Sequence, residues 1–292
     1  MSLWGRKPFL AVRLLGRDGY YPRFRISTKA HRFEATDDLV WMAVVQSPLP
    51  ADWETSESPT FIPEEIRLIT AISLCVADPW HDGIPTVTRL SDRWEEVVDG
   101  DIDLTSEAGE ARVRDVVATL QERHRDRMAT ALRADFKPTG DLGSEDDALS
   151  ILGNFDMEDE LLLAGLANLH TAARLMGIRY HEPEASALCM FVAMSAALEF
   201  IRLHLNEVRG TANTSFAEVH AYLGTVYPAG NFIPEYLEEV YEHRIIAIHP
   251  AGRFGEYWTP PLMADDVFDL RKHLMVIYRH IILGEAPQLR FE

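Results

Sequence analysis

Residues 183–208 read PEASALCMFVAMSAALEFIRLHLNEV, and how this stretch is taken decides the fold class. Apolar residues recur through it at spacings of three and four, the period of a helix that buries a broad face. Its most apolar part, Ala185 to Leu198, stops at Glu199 and Arg202, short of the roughly 20 residues that a membrane span needs. The stretch is therefore expected to be the core helix of a soluble bundle, with no membrane partner.

The same period appears on either side, over about 156–176, 215–226, 234–249 and 264–283. Acidic residues open several of these segments and basic residues close them, which suits the helix dipole. Five amphipathic helices in series predict an up-and-down bundle over residues 151–292.

Further toward the N-terminus the pattern changes. PFLAVRLL (8–15), YYPRFRIS (20–27) and DLVWMAVVQ (38–46) read as strands, the first two joined as a hairpin across Arg17-Asp18-Gly19. A helix is expected from Pro63 to the Asp78-Pro79 stop. A second is expected from Ser106, with Val113, Val116, Val117 and Leu120 on one face. Residues 79–104 are rich in turn formers and read as irregular. Residues 136–154, with Pro138, three glycines and a run of acids, read as a linker. The fold class that follows is mainly α, with an N-terminal α+β unit (1–150) containing a small sheet and a C-terminal helical bundle (151–292).

A chain of 292 residues with 47% hydrophobic residues can bury two cores of ordinary size. The formal charge of −18 opposes indiscriminate binding to phosphate backbones, and leaves room only for a small cationic groove. Arg6, Lys7, Arg13, Arg17 and Asp18 break up the first residues, so no secretory signal is expected and the location is expected to be cytoplasmic. Cys75 and Cys189 each sit in an apolar helical pattern and read as core residues; no metal and no cofactor is expected.

The chemistry-bearing segment is YEHRIIAIHP, residues 241–250. On an ideal helix Arg244 and His249 stand about 140° apart. Pro250 pushes the residue before it out of the α region, so His249 is expected at the helix end, its ring free to swing toward Arg244. Ile245, Ile246, Ala247 and Ile248 make an apolar collar in which electrostatic effects on a substrate strengthen. A near-neutral imidazole can take a proton from a 2′-hydroxyl, and a guanidinium can steady charge on the attacked phosphate. His243, Arg253 and Lys272 are candidate substrate contacts, with Arg271, Arg279, His273 and His280 adding local positive charge. The structural alternative has Arg244 pairing with Glu199 or Glu242, or binding carbonyls at the helix end, while His249 caps the last turn.

Arg-x4-His late in a helix, after the apolar helix containing Ala196-Ala197-Leu198-Glu199 and before a closing helix, resembles the HEPN superfamily over about residues 156–284. The resemblance implies a metal-independent endoribonuclease with Arg244 and His249 as its catalytic pair. It implies RNA as substrate and a homodimer that sets two motifs on one strand, as in bacterial toxin and antiviral defence systems. It also admits a non-catalytic module whose same face binds a partner protein or nucleotide. Ile245 departs from the pattern, since active members usually carry a polar residue after the Arg.

Overall fold

The apolar run FLAVRLLG forms β1 (Phe9–Gly16), and in the computed structural model it lies inside an antiparallel sheet. The structure describes residues 7–16, 24–36, 39–48, 61–75, 88–89, 91–98, 102–126, 143–178, 183–227, 233–248 and 264–284. Among them the chain is mainly helical with one small sheet, and it divides into two units, Met1–Phe155 and Asp156–Glu292. The division follows Phe155 rather than residue 150.

In the first unit β1 is joined by β2 (Phe24–Ser27), β3 (His31–Ala35), β4 (Val40–Gln46), β5 (Thr88–Arg89) and β6 (Trp94–Val97). The order is β2-β3-β4-β1-β5, with β6 also paired to β1. β1 and β4 run in register from Phe9 opposite Gln46 to Leu15 opposite Val40. The expected hairpin between 8–15 and 20–27 is thus corrected: β2 pairs with β3, and β1 takes β4. The physical reason is burial. β1 is buried on both faces and needs a neighbour that is too, which VWMAVVQ is and FRIS is not.

Strand β3, HRFEA, was hidden by its polar residues. Thr28 makes the turn into it, its N–H donating to the His31 carbonyl at 2.8 Å and its hydroxyl accepting from the His31 N–H at 3.0 Å. Strands β5 and β6 correct the irregular reading of 79–104.

Helices cover both faces of the sheet. Leu10, Val12 and Leu14 of β1 and Trp41 and Ala43 of β4 form one core with Val113, Val116, Val117 and Leu120 of α2 (Glu107–Arg123). Helix α1 (Pro63–Leu74) takes the opposite face, where Arg13 projects from β1. The Arg13 guanidinium donates to Glu65 of α1 at 2.6 Å, both side chains being almost fully buried. Glu65 also accepts the Ile62 N–H at 3.0 Å, and Arg93 reaches its other side at 3.6 Å. Beside it Glu64 meets His31 at 2.7 Å and Arg67 at 3.5 Å. Burial pushes the Glu64 carboxyl up, and the His31 and Arg67 contacts outweigh it, holding the group below the usual carboxylate range.

Arg67 continues outward, donating twice to the Leu152 carbonyl of α3 (Glu145–Asn154), at 2.9 and 2.7 Å. This helix corrects the second half of the expected linker. Ser144 caps it, Glu145, Asp146 and Asp147 occupy its first turn, and Ala148, Ile151 and Leu152 are buried. The acids that read as a linker are the N-terminus of a helix.

The second unit holds α4 (Glu160–Ile178), α5 (Pro183–Arg209), α6 (Phe216–Val226), α7 (Ile233–Ile248) and α8 (Ala264–Leu283). Helices α4 and α5 pack along each other and α8 lies against both; α6 packs on α5 and α7. At the triple contact Gly165 of α4 leaves space for the Tyr278 hydroxyl, which donates to the Ala193 carbonyl of α5 at 2.7 Å. A Cβ on Gly165 would stand 2.0 Å from that oxygen and 2.9 Å from Ala196 Cβ. Helix α5 ends at Gly210, whose φ of 63° is the left-handed cap that lets Thr211 bond back to Asn206. By length and composition Ala185–Arg209 is long and apolar enough to cross a membrane, yet 56% of its most apolar window is buried inside the protein, as in a core helix.

Two substitutions test this account. Arg13→Met leaves a buried carboxylate short of its partner and is expected to lower the stability of the first unit by about 3–5 kcal/mol, read as a lower urea midpoint. Arg13→Met with Glu65→Met recovers part of that loss, and equal midpoints for all three proteins would show the pair to be idle. Gly165→Ala is expected to destabilise the second unit by about 1–3 kcal/mol through overpacking. A thermal midpoint unchanged by that substitution would place Tyr278 elsewhere.

Candidate functional site

Helix α7 carries the candidate Arg, and its sequence explains how it sits. Leu237 and Val240 are buried, while the Tyr241 ring lies tilted at 39° against Phe216 of α6, centroids 5.0 Å apart. Position 244 follows Val240 by one helical turn, on the same stripe of the backbone. The helix ends at Ile248, so Arg244 immediately precedes its last turn, with His243 beside it in the chain. His249, Arg253 and the aromatic stretch 254–258 lie outside the described residues.

The closing helix α8 reaches α7 through an aromatic pair. Tyr236 stacks on the His273 ring at 4.0 Å and 15°, and its hydroxyl donates to the Asp266 carbonyl at 3.1 Å. His273 Nδ1 is 2.7 Å from the Asp269 carbonyl, which makes Nδ1 the protonated nitrogen of the neutral ring. Burial pushes the His273 pKa down to about 4 against the upward pull of Asp269. Burial also raises the Tyr236 phenol, and Asp269, Asp266 and Glu239 add to it.

Two residues before His273, Arg271 of α8 is buried, as is His170 of α4. Burial, reinforced by the Arg271 charge, drives His170 down to about 3. Further along α8, His280 Nε2 and the Tyr222 hydroxyl are 3.0 Å apart, and the Tyr227 hydroxyl donates to the Val276 carbonyl at 3.2 Å.

These contacts correct the expected row of cations. Arg271 and His273 face inward rather than lining a groove, and His273 and His170 are neutral near pH 7. Lys272 is half-buried and bound to Asp269 at 3.2 Å. Glu199, expected beside Arg244, holds Arg202 of its own helix with both oxygens, at 2.7 and 2.5 Å. Among the described residues no group of three or more His, Cys, Asp or Glu is placed to hold a metal ion, and neither Cys75 nor Cys189 is in a disulfide.

No family model, no curated protein and no solved structure matches the chain. The likeness of Arg244 and His249 to the HEPN motif therefore rests on their own spacing and place in the helix order. The motif search passed over Tyr236 and His170. His170 was within reach, because it falls on the apolar stripe of Leu166, Leu169 and Ala173; its neighbour Arg271, on another helix, was not.

The two depressed histidines set a pH dependence. Unfolding returns each to a value near 6.5, so below that the unfolded chain binds more protons. Stability of the helical unit is whole above about pH 6.5 and falls as pH drops toward the folded values, by about 1.4 kcal/mol per pH unit for each histidine. Thermal midpoints between pH 7.5 and 4.5 check this. His273→Phe, which keeps the stack on Tyr236, is expected to flatten the slope by about half, and a slope unchanged in that variant would overturn the assignment.

Proposed function

We propose that the helical unit is a HEPN-type endoribonuclease module that acts as a homodimer on RNA without a metal. The observation that carries this reading is the end of α7 at Ile248, which leaves Arg244 just ahead of the last helical turn, with His249 and Pro250 the next residues in the chain after the helix. In the reaction His249 takes the proton of a ribose 2′-hydroxyl. The 2′-oxygen then bonds to the adjacent phosphorus, the P–O5′ bond breaks, and the 5′-oxygen leaves with a proton. Arg244 steadies the extra negative charge on the phosphoryl oxygens. The products are a 2′,3′-cyclic phosphate and a 5′-hydroxyl. The setting is cytoplasmic, in toxin or antiviral defence.

A second reading is favoured by the inward turn of Arg271 and His273 and by the Lys272–Asp269 pair, which together leave α8 little charge for a phosphate backbone. Here the module does not cleave, and the face around Arg244 binds a partner protein or a nucleotide.

Purified protein incubated with mixed RNA in EDTA separates the two. Cleavage is expected to fall by about 10²–10⁴ in both Arg244→Ala and His249→Ala, with far-UV dichroism unchanged. Intact RNA with every protein, or cleavage that survives both substitutions, sinks the catalytic proposal.

A further inference from the structure

Among the described residues six large hydrophobic side chains are exposed, and four of them, Leu188, Val192, Leu203 and Val208, are on α5. A core helix that turns this much apolar surface to solvent lacks a covering. Leu188, Val192, Ser195, Glu199 and Leu203 fall within about 80° of one another around the helix, and the stripe runs about 22 Å along it. Val208 lies on the opposite side. Leu188, Val192 and Leu203 are 40%, 49% and 47% exposed, too open for residues packed within the unit.

The stripe has a centre. Leu188 and Leu203 are equidistant from the point between Ser195 and Ala196, and so are Val192 and Glu199. Ser195, small and partly exposed, lies at that point and allows close approach of another helix, at the 8–10 Å typical of helix pairs. An antiparallel copy would set Leu188 against Leu203 at both ends of one contact, which is the self-complementary pattern of a two-fold interface.

Charge selects the occupant. The chain carries −18, yet residues 185–206 hold only Glu199 and Arg202, which neutralise each other at 2.5 Å. Two acidic copies repel over most of their surface and meet without penalty only on a neutral face. A basic partner would be drawn to the acidic surface instead.

We infer that α5 docks a second copy of this chain through Leu188, Val192 and Leu203, antiparallel, with Ser195 beside the two-fold axis. This rests on the dimer of the proposed function and names its face, but it does not rest on the cleavage chemistry.

Sedimentation of the full chain tests it. The wild type is expected to be a dimer, and Val192→Glu and Leu203→Glu each to weaken it about tenfold or more with unchanged thermal midpoints. In a Cys189→Ser background, Ser195→Cys is expected to cross-link to its copy with a short bismaleimide, whereas Leu188→Cys is not, since its copy lies about 22 Å away along the helices. A monomeric wild type, a dimer kept by both glutamate variants, or cross-linking as strong at 188 as at 195 overturns the inference. RNA cleavage assayed on the same proteins keeps the readings apart: a dimer that does not cleave rejects only the chemistry, and a monomer that cleaves rejects the dimer and its interface but leaves the chemistry standing.

Discussion

Arg13 occupies the middle of β1, and a guanidinium cannot shed its charge to suit a dry environment. The sheet face on which it projects must therefore offer a carboxylate. Glu65 is that group, and its position in the first turn of α1 fixes where the helix begins as well as where it lies. The same carboxylate reaches the Ile62 N–H and Arg93, so one charge ties a central strand, a helix start and the approach to β6. Apolar packing on this face is compatible with many offsets of α1; a buried ion pair accepts very few.

The opposite face is held by a looser version of the same arrangement. Glu110 of α2 gathers Arg32 at 2.9 Å, Arg25 at 3.0 Å and Arg114 at 2.9 Å, and the Arg32 charge leads in holding its carboxyl below the usual range. Two of these arginines are open to water, so the contact adds direction rather than much stability. The α2 position is set mainly by the valines and Leu120 beneath it.

How far the sequence could be read depended on whether the relevant signal was local. Helices α4 to α8 were legible because their apolar period is their own property, and Ser215 marks the start of α6 as a cap. Strand pairing was not, because the choice of β4 over β2 as the neighbour of β1 turns on which segment is buried on both faces once α1 and α2 are in place. Strand β3 escaped since His31, Arg32 and Glu34 read as surface until Glu64 and Glu110 are seen to meet them. At the candidate site the place of Arg244 near the end of a helix was readable. The inward course of Arg271 and His273 was not, as it depends on helices distant in sequence.

Arg67 closes the first unit in a particular way. By holding the Leu152 carbonyl it fastens the last turn of α3 just before the chain leaves that unit at Phe155. A terminal helix would otherwise be the first part to fray under load. Tension arriving along the backbone from residue 156 onward is instead handed to α1, and through Glu64 to the His31 turn, so the unit resists pulling at its exit with its interior rather than with its rim.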